Sequence, residues 1–300
     1  VHGFSEVGFS WAGELYFDGH NAIKAGASLK YIMGAGNLYA GFRDFNGTAS
    51  LTTDPVTKKV NLNINSTNGV FEIVNGGTDF LNNFKANSLM GKEASTIGFD
   101  LGATYEYRFD GCRTCHNKPH DLRIGFSIMD IGSVSYKTNT ESYRYQMPNS
   151  GTVTLNMDEI NEEKLKQAFG ISNSMKMAQK TVKSSLPTTL NLSADYRIFG
   201  GLYVNASGLM NLTSKSKTDV YNAYYANTFS FTPRFDTSSF GAYLPISYNQ
   251  VAKTNIGFGL RLGPLTLGSS SVISNVITKS AHELNFFVGL RFGHMAYPNN

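Results

Sequence analysis

No stretch of the chain approaches the roughly 18 consecutive apolar residues of a membrane-crossing helix, so helical membrane spans are excluded. Charge is sparse: Asp, Glu, Lys and Arg together make 16% of the 300 residues. The basic residues are scattered and the net charge is a mild +4, which leaves no electrostatic footprint for nucleic acid. Two cysteines, three positions apart, cannot form a disulfide framework that holds the fold. P-loop, nucleophile-elbow and dinucleotide fingerprints are all missing, so the chemistries they serve have no basis in the sequence.

What the chain does have is strict alternation. Residues 188–212 read TTLNLSADYRIFGGLYVNASGLMNL. Leu190, Leu192, Ala194, Tyr196 and Ile198 are apolar, with Asn191, Ser193, Asp195 and Arg197 between them. After Phe199-Gly200-Gly201 the pattern resumes through Leu202, Val204, Ala206, Met210 and Leu212. Period two marks a strand with one apolar and one polar face, and two such runs about a glycine turn make an antiparallel hairpin. Each arm is about ten residues, the length of a tilted strand that crosses a hydrocarbon core.

The same signal recurs. Val7, Phe9 and Trp11 lead to the turn Asp18-Gly19-His20-Asn21, and Ile23, Ala25, Ala27, Leu29, Tyr31 and Met33 follow opposite Lys24, Gly26, Ser28 and Lys30. Because residues 1–18 already alternate, no signal peptide is expected there. Ile97, Phe99, Leu101, Ala103, Tyr105, Tyr107 and Phe109 mark the clearest single strand. Leu122, Ile124, Phe126 and Ile128 open a strand expected to continue toward Tyr136. Phe229, Phe231 and Phe235, then 243–246 with Pro245 weakening the pattern, then Ile256–Leu262, Leu265–Leu267 and Leu284–Phe292 supply the remainder. Two long polar segments interrupt them. Residues 34–94 hold an expected extramembrane hairpin with Val60, Leu62 and Ile64 after Asp54-Pro55. Residues 137–187 hold an expected helix capped by Asn156, with Glu159 three residues on, a stop at Gly170, and Ile160, Leu165, Ala168 and Phe169 on one face.

Connection lengths sort by side. Those at 18–21, 110–118, 199–201 and 263–264 are short; those at 34–94, 137–187, 213–224 and 269–282 are longer. Short periplasmic turns and long extracellular loops are the habit of outer-membrane barrels. The expected fold class is therefore all-β: an antiparallel transmembrane β-barrel over residues 1–292, with residues 293–300 as a periplasmic tail. Eleven spanning strands can be traced. Bacterial single-chain barrels normally have an even number, so one or three further strands are expected upstream, about 12–14 in all. Lys24, Lys30, Asp100, Glu106, Arg108, Arg123, Asp195, Arg197, Arg261 and Arg291 fall on polar faces and are expected to line the lumen as plugging ion pairs.

The segments LPTTLNLSADYRIFGGLYVNAS, FSFTPRFDTSSFGAYLPISYN, GFGLRLGPLTLGSS and the closing LNFFVGLRF, with TIGFDLGATYEYRF and LRIGFSIMDIGSVSY, together resemble a family of Bacteroidota outer-membrane proteins, most of whose members have no assigned function. The resemblance covers most of the chain and is strongest from residue 185 to 292. It implies an outer-membrane barrel and brings no catalytic motif. Family members often carry an OmpA-like, peptidoglycan-binding domain after the barrel, and peptidoglycan would be a partner only through such a domain.

One motif invites chemistry. Cys112-Arg113-Thr114-Cys115-His116 has the C-x-x-C-H spacing of c-type haem attachment, and His120 completes a compact zinc-like set of Cys112, Cys115, His116 and His120. A single copy in a barrel turn offers no obvious pocket for haem, and zinc sites usually draw ligands from two elements. In an oxidising periplasm a Cys112–Cys115 disulfide or two free thiols is expected, without metal, haem or other cofactor. The expected function is that of a non-enzymatic outer-membrane barrel, a structural or accessory subunit of a larger envelope complex for protein assembly or tethering. Its expected partners are outer-membrane lipid, lipopolysaccharide, and other outer-membrane proteins or lipoproteins, with no nucleic acid. A transporter or pore, and a barrel associated with type IX secretion, are the rival readings.

Overall fold

The computed structural model describes residues 1–77, 94–111, 120–139, 142–146, 151–159, 161–169, 174–215, 220–277 and 285–290. In chain order its strands are β1 (His2–Phe17), β2 (Asn21–Thr53), β3 (Val60–Gly77), β4 (Ala94–Tyr107), β5 (Leu122–Ile131), β6 (Ser133–Lys137), β7 (Tyr143–Gln146), β8 (Gly151–Asn156), β9 (Ser174–Lys176), β10 (Thr181–Ser185), β11 (Thr189–Phe199), β12 (Leu202–Asn211), β13 (Thr228–Asp236), β14 (Phe240–Tyr243), β15 (Ile246–Asn249), β16 (Lys253–Ile256), β17 (Phe258–Leu262), β18 (Leu265–Ser269) and β19 (Phe287–Leu290). Two short helices, α1 (Glu162–Phe169) and α2 (Val272–Ile277), lie among them. Among the described residues, no helix is long and apolar enough to cross a membrane.

An antiparallel meander forms the main sheet. Its pairing order is β1, β2, β4, β5, β11, β12, β13, then β14 with β15, β16 with β17, β18 and β19. Counting each broken strand once gives eleven staves. Among the described residues no pairing joins β1 to β19. The eighth stave breaks at Leu244-Pro245, opposite Pro233: proline has no N–H to give the ladder, and the Leu244 amide donates to the Pro233 carbonyl at 3.0 Å. At one end of the staves the turns after β1, β11, β13 and β17 are tight. Asp18 Oδ1 accepts the Asn21 and His20 amides at 2.6 and 3.1 Å, and Gly200 and Gly263 close their turns at positive φ. Connections at the other end are mostly long, with one tight exception, where Asn249 Oδ1 accepts the Val251 amide at 2.8 Å.

Two structures stand at the long-connection end. The first is an extension. The hairpin at Asp54 is present, with the Val56 and Thr57 amides donating to Asp54 Oδ1 at 2.8 and 2.7 Å. Its strands are far longer than the alternation suggested, because β2 runs unbroken for 33 residues from stave into extension. There β2 pairs with β3, β3 with β7 and β8, and β7 with β9. Ile64, Phe71, Ile73, Tyr143, Tyr145, Val153 and Leu155 form its core. Glu72, fully buried, accepts from Arg43 Nε at 2.6 Å and Arg144 Nη2 at 2.7 Å, so its charge is matched from both neighbouring strands. The expected helix starts late. Asn161 caps α1, its Oδ1 accepting the Lys164 amide at 2.9 Å, whereas Asn156 is taken up by a 3₁₀ turn, accepting the Asp158 amide at 3.0 Å. Ala168 packs on the extension core; Ile160, Gly170 and the side chains of Leu165 and Phe169 lie outside the described residues.

The second structure is a cap. Instead of continuing to Tyr136, β5 ends at Ile131, beside Asp130 at φ 58°. β6 leaves the sheet and pairs with β10 alone. Val134, Tyr136, Val182 and Leu186 of this ribbon pack on Ile32 and Val74. Tyr136 is fully buried against the backbone of Gly34, where a β-carbon would stand 2.8 Å from the ring, so residue 34 must lack one.

Candidate functional site

Along the staves the usual burial of a soluble protein is reversed. Val7, Phe9, Trp11, Leu29, Ile97, Phe126, Leu192, Tyr196, Phe229, Phe231 and Phe258 are exposed, Phe9 by 75%. Lys30, Glu106 and Asp195 are buried, with 8%, 6% and 6% exposure. The alternation sets this phase, and β-bulges maintain it. In β1 the pairing slips between Glu14 and Tyr16, which brings Tyr16 opposite exposed Ile23.

The polar face carries two ionic tiers. Toward the cap, Lys30 Nζ donates to Asp130 at 2.7 Å and stands 2.9 Å from Asp100 and 3.6 Å from Glu6. Toward the turns, Glu106 gathers Lys24 at 3.0 Å, Arg108 at 2.8 Å and Arg123 at 3.8 Å. Beside it Asp195 accepts both Arg234 nitrogens, Nη2 at 2.8 Å, and His120 Nε2 at 2.6 Å. The Arg234 guanidinium also lies over the Tyr203 ring, 4.6 Å from its centre. Arg197 pairs with Asp121, and Arg261 with Asp236 at 2.6 Å. A carboxylate holding several donors in this way is locked in place, and removing the carboxylate leaves its buried cationic partners unmatched.

Between the tiers lies a cavity of about 750 Å³. Among its hydroxyls are those of Ser10, Ser28, Thr104, Ser127, Ser193 and Ser207, on six different strands. The sheet therefore curves around its polar face. Ser10 and Ser28 are hydrogen-bonded at 2.8 Å, and Ser207 and Ser230 at 2.7 Å. A second cavity of about 370 Å³ opens beside His120, Asp195 and Arg234. These walls can hold water or a small polar solute. Among the described residues, no three His, Cys, Asp or Glu side chains are placed to hold a metal.

The structure thus brings Lys24, Lys30, Asp100, Glu106, Arg108, Arg123, Asp195, Arg197 and Arg261 into ion pairs or hydrogen bonds on one face. Cys112, Cys115, His116 and Arg291 lie outside the described residues. His120, which completed the zinc-like spacing with them in the sequence, is buried and bonded to Asp195. Glu6, Asp121, Asp130, Arg234 and Asp236 complete the tiers without having been singled out from the sequence. Arg234 and Asp236 were legible there, because Phe229, Phe231 and Phe235 point to one face and so set Ser230, Thr232, Arg234 and Asp236 on the other. Asp130 was not, since the kink at its positive φ breaks the phase.

No curated protein and no solved structure matches the chain. Residues 1–270 match the model of a family of unknown function, DUF5723, and the chain belongs to that family.

Proposed function

We propose that this protein is an integral outer-membrane β-barrel without catalytic activity, serving as a structural or accessory subunit of a larger cell-envelope complex. The observation that carries the membrane reading is the reversed burial of the staves. Basic side chains facing lipid at the midplane cost about 2–4 kcal/mol each, whereas on the polar face they are paired. An exposed belt of Phe, Leu, Ile and Val is a liability in water and the correct surface in hydrocarbon. On this reading the sheet closes, which removes edges that lipid does not tolerate. The proposed location is the outer membrane, with the tight turns on the periplasmic side.

The subunit role rests on the extension and cap. Both are built around cores of soluble type and stand at the end where long connections gather, which suits a platform for other outer-membrane proteins or lipoproteins. Purification from membranes in mild detergent tests it: other envelope proteins should co-purify in fixed ratio, and a monomer free of companions would contradict it. The cavity between the tiers favours a second reading, a narrow transporter. A stable open conductance in planar bilayers would favour that reading over the first, since the ion-pair tiers and the cap together are expected to keep the lumen closed.

A further inference from the structure

One face of the extension is the reverse of the apolar cluster that holds it together. Register sets its side chains in three rows across β2, β3 and β8: Thr48, Asn65 and Thr152; Ser50, Asn63 and Thr154; Thr52, Asn61 and Asn156. Every one is a hydroxyl or an amide, and every one is exposed or half-buried. The side chains are ordered among themselves. Asn63 Nδ2 donates to Thr52 Oγ1 at 2.7 Å while Asn63 Oδ1 accepts from Thr154 Oγ1 at 2.8 Å, and Asn65 Oδ1 accepts the Thr152 hydroxyl. Adjacent strands lie ~4.8 Å apart and same-face neighbours along a strand about 6.8 Å apart, so the face is a regular grid of donors and acceptors. At β8 the grid runs into a cavity of about 230 Å³ lined by Thr154, Asn156, Glu159, Lys164 and Gln167.

An exposed strand face is usually a solvated surface and nothing more. This one departs from that pattern in having no charge. Solvent-facing positions are commonly held by Lys, Glu, Arg or Asp, and uncharged ladders rich in Asn and β-formers are the kind that stack on copies of themselves. Charges are near at hand on Lys58, Lys59 and Glu159, yet none stands within the grid.

We infer that this face binds a neutral polysaccharide. Charge complementarity selects the class: with no cation the grid does not attract nucleic acid or other polyanions, and with no aromatic residue or arginine it lacks the anchors of a protein interface. Neutral amides and hydroxyls, each able to give and accept, match a polymer of hydroxyl groups, directly or through bridging water. Single contacts of this kind are weak. Repetition along a polymer raises avidity, and the lateral cavity can receive a terminal or branching unit. The inference goes beyond the membrane reading and stands on the geometry of the extension.

The detergent-solubilised full chain should be run in native gels containing dextran or mannan, both neutral, or dextran sulfate. Retardation by at least one neutral polymer and none by dextran sulfate is expected. Asn63→Lys or Thr154→Lys, each at a solvent-facing position, should weaken apparent binding at least tenfold while leaving the circular dichroism spectrum unchanged, and Asn63→Gln should retain part of it. Migration unaffected by either neutral polymer, retardation by dextran sulfate alone, or retardation that survives Asn63→Lys would overturn the inference. A wild-type particle that doubles in mass without polymer, and returns to single mass in Asn63→Lys, would assign the face to a second copy instead.

Discussion

At the scale of single residues, what matters is which face a side chain joins. Leu192 and Ser193 are chain neighbours on β11, but Leu192 is on the apolar face while Ser193 lines the cavity that holds Asp195 and Arg234. Leu192→Arg should impair folding into vesicles by about 2–4 kcal/mol if it sits near the midplane. Ser193→Arg meets polar walls and should be milder. Equal folding yields would contradict the strand phase. Within the polar face the pairs are unequal too. Asp195→Ala leaves Arg234 and His120 facing an apolar methyl and should cost about 3 kcal/mol, read as a lower midpoint of urea unfolding. Arg123, more than half exposed at its side chain, should lose less than about 1 kcal/mol on replacement by alanine. Similar losses for the two would show that the tier around Asp195 adds no stability of its own.

At the scale of elements, the staves were readable and the additions on them were not. Alternation located the hairpin of β11 and β12, the strand β4, and the break at Pro245, because each face meets a single kind of environment along its length. It faltered where the other face is covered by a second layer. Tyr31, Ile32 and Met33 are three apolar residues in a row; Ile32 lies in the phase of Lys30 but is fully buried under the cap. That run is the local sign of a second layer, and period-two reasoning passes over it. Nothing near residues 133–137 or 181–185 names their partner, since pairing across more than forty residues depends on the sheet beneath. The cap carries its own prediction. Burial pushes the Tyr136 hydroxyl above the ordinary tyrosine value, and His2 Nε2 lies 2.8 Å from it. The folded state favours the neutral phenol, so its contribution is complete below the free-tyrosine pKa of about 10 and is lost as pH rises above it. Wild-type protein should show increasing protease cleavage of the β6–β10 ribbon above that pH, and Tyr136→Phe should remove the pH dependence. An alkaline profile unchanged in Tyr136→Phe would show that another group opens the cap.

At the scale of the whole molecule, the proposed arrangement sets hydrocarbon against the apolar face of the sheet and a little water against the face that carries the ion pairs. Such a chain hides its hydrophobicity from any averaged index, and its mean hydropathy is −0.21. The antiparallel all-β class and the polar-face charges could be read from period two, whereas the extension, the cap and the grid on β2, β3 and β8 needed the register. The chain supplies its own reporter for the central proposal. Its single tryptophan, Trp11, stands on the apolar face of β1, 56% exposed. After reconstitution into vesicles, Trp11 emission should be blue-shifted, quenched by lipids brominated along their acyl chains, and insensitive to aqueous iodide. Emission typical of water, with iodide quenching as for free tryptophan and no effect of brominated lipid, would contradict a membrane-spanning barrel.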